Sequence, residues 1–319
     1  MIAAIAKLLP PHPALLLGAG DDAAVVSAPD RRVVATTDLL VEGRHFRRDW
    51  SGPGDVGVKA AAQNLADVAA MGAAPTALLV GIATPGDLPV AWALDLVRGL
   101  VAEAERAGAA VAGGDITSSD TLMLAVTALG DLAGLSPVTR GGASPGDLVA
   151  VTGGPLGRSA AGLALLAAGI AGAGAAPSEV ADPEVAAELA ELVAAHRRPQ
   201  PPYPAGPAAA RLGATSMLDI SDGLVQDLGH VAAASDVCID IDTASLPASA
   251  ALRTAAEMLA VDWLDWALTG GEDHALAATF PPGTALPAGW YRIGAVRPGS
   301  GVLVDSAARS GPGGWDHFR

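Results

Sequence analysis

A two-domain α/β (α+β) fold is the expectation from three features of the 319-residue sequence. Its length suits two units of about 150 residues each. Half of the residues (51%) are apolar, enough for packed cores. Strand-like runs also alternate with long helical patterns. The Gly-, Ser- and Pro-rich stretch "GLSPVTRGGASPGD", 134–147, separates two such series. An N-terminal domain is therefore expected over 1–135 and a C-terminal α/β domain over 146–319.

In the first half, strands are expected at Val33–Thr37, Thr76–Ile82, Ala109–Ala112 and Leu122–Leu129. One helix should follow "SGPG" (51–54), with Asp55 as its N-cap, and end at Gly72; a second, around Pro89–Arg106, should end at Gly108. The second half repeats strand (Leu148–Thr152), Gly-rich loop and helix. A Pro-rich stretch at 199–207 follows, then a strand and helix through 216–234 and further strands. Ala160–Pro177 is uncharged over nearly a membrane span, yet it is mostly Ala and Gly. Its large side chains, Leu163, Leu165, Leu166 and Ile170, have the spacing of one buried helical face, so it reads as a soluble helix running into a loop.

The formal charge of −15, from 19 basic and 34 acidic residues, argues against a nucleic-acid or anionic-membrane binder. One cysteine, Cys238, allows no intrachain disulfide, and no Cys/His cluster has zinc spacing. Pro10, Pro11 and Pro13 interrupt the apolar N-terminus and no export-type cleavage pattern follows, so a cytoplasmic home is expected.

Five stretches lead from apolar residues to a carboxylate flanked by small or hydroxyl residues. They are "GAGDDAAVV" (Asp21, Asp22), "VATTD" (Asp38), "VAGGD" (Asp115), "SMLDISDG" (Asp219, Ser221, Asp222) and "LTGGED" (Glu272, Asp273). A sixth stretch adds Asp67, which shares one face of an Ala-rich helix with Gln63 and Asn64. Acids at strand ends gather where α/β proteins place their sites. Two like charges about 4 Å apart repel by roughly 4 kcal/mol at an effective dielectric near 20, so converging carboxylates imply cations between them. All-oxygen ligands select hard ions such as Mg2+, which completes its shell with water and substrate phosphates. The pairs Gly113–Gly114 and Gly270–Gly271 would let backbone approach an anion. "TGGPLGRSAAG" lacks the Lys and spacing of a P-loop, and no dinucleotide fingerprint is present. Phosphate handling thus belongs to another fold.

In order along the chain, "GDDAAVV", "TTDLLVEGRHF", "QNLADVAAMGA", "AGGD", "VTRGGASPGD", "LDISDGLVQDLGH", "TGGED" and "GWDHF" resemble the thiamine-monophosphate kinase family. That family lies in the ATP-binding superfamily of aminoimidazole ribonucleotide synthetase and selenophosphate synthetase. The resemblance spans 18–318 and implies a two-domain aminoimidazole ribonucleotide synthetase-like fold. It also implies a homodimer whose N-terminal sheets join across the interface, with ATP nearby. The implied activity is ATP- and Mg2+-dependent phosphorylation of thiamine monophosphate to thiamine diphosphate.

Carried onto this chain, the family's several Mg2+ ions would be held by Asp22, Thr36, Thr37, Asp38, Asp67, Asp115, Asp219 and Asp222. Nucleotide contacts fall on Gly114, Asp115, Arg140 and Ser221, and substrate contacts on His45, Glu272 and Trp315. Asp38, Asp67 and Asp222 would be the catalytic acids. The chain departs from the family pattern at Arg44 (often Asn), at Ser118 in "GGDITSS" (often "GGDTTR") and at His274 in "GGEDHAL" (often "GGEDYEL"); it also starts a few residues short of the family's usual beginning. The rival expectations are a superfamily enzyme with another acceptor and a non-catalytic Mg–nucleotide sensor. Selenophosphate synthetase fits less well, since Cys238 lies in an apparent strand rather than near the N-terminus.

Overall fold

The computed structural model describes residues 2–19, 23–170 and 182–315. A short helix α1 (Ile2–Ala6) and a hairpin of β1 (Leu15–Leu17) and β2 (Val25–Val26) precede the first sheet. That sheet contains β3 (Val34–Val41), β4 (Ala74–Thr84), β5 (Ala110–Ser118) and β6 (Met123–Asp131), in the spatial order β3-β6-β4-β5. Helix α2 (Pro53–Ala70) links β3 to β4, and α3 (Val90–Arg106) makes the crossover that the parallel pair β4–β5 requires.

Several expectations need correction, the first being the third expected strand, which runs on past Ala112 to Ser118 and so holds Asp115 in its interior. Strand β3 does not stop at Thr37 but pairs with β6 as far as Val41, so Asp38 lies in its interior. Helix α2 starts at Pro53, with Gly52 as the N-cap residue, because Pro suits the first helical position. Asp55 sits one turn in, and its carboxylate accepts the Gly52 N–H at 2.9 Å.

The second sheet is built from β7 (Leu148–Thr152), β8 (Ser216–Asp219), β9 (Cys238–Ile241), β10 (Leu276–Phe280), β11 (Trp290–Arg297), β12 (Gly301–Val304) and β13 (Ala307–Ala308). Its order is β13-β12-β9-β11-β7-β10-β8, antiparallel except for β9–β12. Helices α4 (Arg158–Ala167), α5 (Pro183–Arg197), α6 (Ala205–Leu212), α7 (Leu224–Ser235), α8 (Ala250–Leu259) and α9 (Trp263–Thr269) surround it. In α4, Leu165 and Leu166 are buried, whereas Leu163 is exposed. No helix of the described residues is long and apolar enough to cross a membrane.

Side chains alternate between the faces of a strand. On one face of the second sheet Val149, Val151, Leu218 and Ala277 pack with Leu224, Leu228 and Val231 of α7. On the other, Leu148, Ala150, Met217 and Ala278 meet Ala209 of α6 and Ala70 at the end of α2. Leu65 and Val68 of α2 belong to the core of the first sheet. Helix α2 is therefore the seam between the two halves, and its polar stripe lies along that seam.

Candidate active site

Lys59, Gln63 and Asp67 recur every four residues and share one face of α2. Gln63 Nε2 donates to Asp38 Oδ2 at 3.2 Å, and the Asp38 N–H donates to Asn64 Oδ1 at 2.9 Å. Thr36 Oγ1 donates to Asp67 Oδ2 at 2.8 Å. Thr36 and Asp38 are two residues apart on β3, so both face α2, and Asn64 is locked in turn by its Nδ2 bond to Ala60 O at 2.9 Å.

The second half supplies the opposing wall. Asp219 ends β8, and the loop that follows folds around Asp227, whose Oδ2 accepts the N–H groups of Ser221, Asp222 and Gly223, each at 3.0 Å. The "GGEDH" loop lies against it: Glu272 N–H donates to Ser221 O at 2.8 Å and His274 N–H to Ile220 O at 2.9 Å. Glu272 and His274 both adopt left-handed backbone (φ 63° and 49°), costly for non-glycine residues and held here by these bonds. A Cβ at Gly271 would stand 2.6 Å from Ser221 O, so this glycine permits loop-on-loop contact. Trp315 joins the same corner, its N–H donating to Asp222 O at 2.9 Å while Gln226 Nε2 donates to its carbonyl at 2.7 Å.

The three polar side chains of that loop reach three different elements. Glu272 Oε2 accepts from Lys59 Nζ of α2 at 2.9 Å and lies 3.4 Å from His196 Nδ1 of α5. Asp273 accepts the Gly157 and Ser159 N–H groups at the start of α4, at 2.5 and 3.1 Å. His274 Nδ1 meets Asp219 Oδ2 at 3.0 Å, so the departure from Tyr at this position has a partner.

Burial, then the charge of Asp219, pushes the Asp67 carboxyl up to about 7, against the Thr36 hydrogen bond, and Asp38 adds to the rise. Burial and Asp219 also push Asp227 up to about 7, against the amides it accepts. Burial raises Asp273 to about 6. Burial would discharge His274 as well, but its bond to Asp219 outweighs that and holds it above the usual imidazole value. Burial likewise opposes the Glu272 charge, yet Lys59 holds it below the usual carboxylate value. Burial drops His196 to about 3, so its contact with Glu272 is that of a neutral imidazole and not an ion pair.

Asp38 and Asp219 thus both repel Asp67 and, with the Thr36 hydroxyl, offer all-oxygen ligands, a chemistry that suits a hard divalent cation. Among the described residues no group of three or more His, Cys, Asp or Glu side chains is placed to hold a metal ion. An ion held there would have to take much of its shell from water and phosphate oxygens.

Other expected site residues lie apart. Asp115 is exposed on β5, across the sheet from β3 by three strand spacings, about 14 Å. It shares a cross-strand row with Gly81, Ala125 and Leu39, on the face opposite Asp38. Gly114 has a packing reason, since a Cβ there would stand 1.8 Å from Val80 O. Thr37 points away from α2, donating to Val126 O at 3.0 Å and accepting from Thr127 Oγ1 at 3.1 Å. His45 lies in the turn beyond β3, its Nδ1 accepting the Val41 N–H at 3.0 Å. The Arg140 carbonyl accepts from Ser235 Oγ at the end of α7. Asp22 lies outside the described residues. A cleft of about 610 Å³ bordered by Asp240, Arg292, Arg297 and Asp305 is lined by none of these residues.

Sequence reasoning missed Lys59, His196 and Asp227. Lys59 had a readable signal, because extending the Gln63–Asp67 stripe by four residues reaches the one basic side chain of α2.

Residues 20–132 match the family described as AIR synthase related protein, N-terminal domain, and 144–285 its C-terminal domain. The chain is 50% identical to a thiamine-monophosphate kinase of Mycobacterium tuberculosis, covering 95% of this chain and 86% of the relative. It is 43% identical to that of Corynebacterium glutamicum, over 94% and 88%. A solved structure, AaThiL complexed with AMPPCP and TMP, superposes with a TM-score of 0.81 at 35% identity, covering 93% of this chain and 91% of that one.

Proposed function

The chain belongs to the thiamine-monophosphate kinase family of AIR synthase related proteins, and from that premise we propose that it phosphorylates thiamine monophosphate with ATP. A phosphate oxygen of thiamine monophosphate attacks the γ-phosphorus, the bond to the β–γ bridging oxygen breaks, and thiamine diphosphate and ADP leave. The attacking oxygen belongs to a phosphate monoester largely ionised near neutral pH, so no strong general base is needed. Positioning and charge neutralisation then supply most of the rate.

The observation that carries this reading is the seam itself. Asp67 feels the charges of Asp38 from one half and Asp219 from the other, and the loop that bears Glu272 is bonded to the strand end that bears Asp219. Asp38, Asp67, Asp219 and Asp222, with Thr36, would hold Mg2+ on the nucleotide phosphates. Bound there, the ions would neutralise charge that develops during transfer. Glu272, Trp315 and His45 would bind the acceptor, and Ser221 and Arg140 the nucleotide.

Asp115, Gly114 and Thr37 belong to the same proposal through a second copy of the chain. One chain carries Asp38 and Asp115 on opposite edges and faces of its first sheet. The face that bears Asp115 also leaves Leu39 (52%) and Leu79 (40%) exposed. A homodimer closed over that face would bury them and carry Asp115 of one copy toward the phosphates held by the other. Asp22 would complete the metal set. A cytoplasmic setting suits the single buried Cys238.

The test is incubation with ATP, Mg2+ and thiamine monophosphate beside a free-thiamine control, read by mass spectrometry. Thiamine diphosphate from the monophosphate alone is expected. ATP bound without product would leave the fold and overturn the activity.

A further inference from the structure

Lys59 is the largest fully buried side chain among the described residues, 2% exposed in an Ala-rich helix. A lysine is rarely buried so deeply unless it is paired, and Lys59 Nζ meets Glu272 Oε2 at 2.9 Å, joining α2 of the first half to the "GGEDH" loop of the second. His196 meets that same oxygen at 3.4 Å, and its Nδ1 in turn lies 3.1 Å from Ser159 Oγ. Both contacts fall on Oε2, while the Glu272 side chain keeps 30% of its surface exposed. The carboxylate is thus gripped through Oε2, on a side chain that stays partly open to solvent.

Lys59 and Asp67 lie eight residues apart on one helical face, so about 12 Å of rigid helix separates the Glu272 grip from the acids that meet Thr36 and Asp219. The loop that carries Glu272 is bonded through Ser221 O and Ile220 O to the strand end that bears Asp219. Glu272 is thereby fixed at both ends relative to the phosphate-handling acids.

We propose that Lys59 is a positioning residue for the acceptor: it orients the partly exposed Glu272 carboxylate, so that this group receives the cationic heteroaromatic part of the thiamine phosphate at a fixed distance from the transferring phosphate. The inference rests on the kinase reading above. Lys59 acts through Glu272 and touches neither the nucleotide nor the reacting atoms. Binding of the acceptor should therefore depend on it and binding of ATP should not.

Steady-state kinetics of Lys59→Met, Lys59→Arg, Glu272→Gln and the pair Lys59→Met/Glu272→Gln test this. Removing one partner of a buried charge pair costs far more than removing a surface charge. For Lys59→Met the KM for thiamine monophosphate should rise about 30-fold or more while the KM for ATP stays within about threefold. Lys59→Arg should recover part of the loss, and the double variant should be no worse than the weaker single. Equal rises in both KM values with a lowered melting temperature would reduce Lys59 to a structural residue and overturn the proposal. Unchanged kinetics would overturn it too.

Should Lys59→Met not fold, Lys59→Met/Glu272→Leu removes both charges together. It should fold and bind ATP while losing thiamine monophosphate in calorimetry, and retained binding would overturn the proposal. A wild-type protein that makes no thiamine diphosphate would instead refute the kinase reading, an outcome distinct from a variant that matches an active wild type.

Discussion

The two sheets are finished differently. In the seven-stranded sheet β7, β8 and β10 are buried along their whole length, because helices and apolar clusters cover both faces. In the four-stranded sheet β6 alternates buried and half-buried residues from end to end, and Leu39 and Leu79 of its neighbours stand exposed. The first half thus has one face sealed by α2 and α3 and one face without such a cover among the described residues. The polar chemistry divides along the same line. Thr36, Asp38 and Asp67 face the sealed seam, whereas Thr37 and Asp115 lie on the open side.

The sharpest way to break this division is at the seam. Asp67→Asn removes the carboxylate that feels charges from both halves, and turnover should fall about 1,000-fold or more with the melting temperature little changed. Unchanged activity would remove Asp67 from the site. A smaller effect is expected from Asp227, which holds three consecutive backbone amides of the loop presenting Ser221 and Asp222. Asp227→Ala frees that loop, and a displacement of about 1 Å costs on the order of 100-fold in kcat/KM. Retained activity would show that the loop holds its shape without the carboxylate. On the open face, Leu39→Glu should leave the seam intact and, for the homodimer proposed above, raise its dissociation constant about 10-fold, read by sedimentation at several protein concentrations. A dimer of unchanged affinity would move the interface elsewhere.

What the sequence revealed follows the same division. The C-terminal ends of α2 and α3 are legible because Gly72 and Gly108 follow them, and the Gln63–Asn64–Asp67 face follows from helical spacing alone. The side of the sheet on which Asp115 lies is not legible. A one-residue shift reverses every side chain of a strand, and "VAGGDITSS" has no apolar alternation to fix the parity. The pairing of β12 beside β9 is equally hidden, since it depends on contacts between segments distant in sequence. Asp227 was hidden for another reason: an acid in the first turn of a helix reads as an ordinary partner of the helix dipole, and its three bonds run back to a loop.

The smallest expected effect compares the seam with the helical layer behind it, through opposite signs of pH dependence. His196, 5% exposed on α5, is held near 3, so between about 3 and 6.5 the unfolded chain carries a proton on it that the folded chain does not. Its contribution to stability is full above about 6.5 and is lost as pH falls, by roughly 1.4 kcal/mol per pH unit. Asp67 and Asp227, raised to about 7, act in reverse, because the folded chain holds the protons that the unfolded chain releases near 3.8. Each therefore costs stability as pH rises from about 4 to 7. The net slope of the wild type mixes the two signs, but the difference between wild type and His196→Asn isolates one. Urea unfolding at pH 5 and 6 in metal-free buffer should give a variant whose stability falls more steeply with rising pH than that of the wild type, by about 1.4 kcal/mol per unit. Parallel slopes would mean that His196 binds its proton equally in both states, and the neutral imidazole beside Glu272 would be wrong.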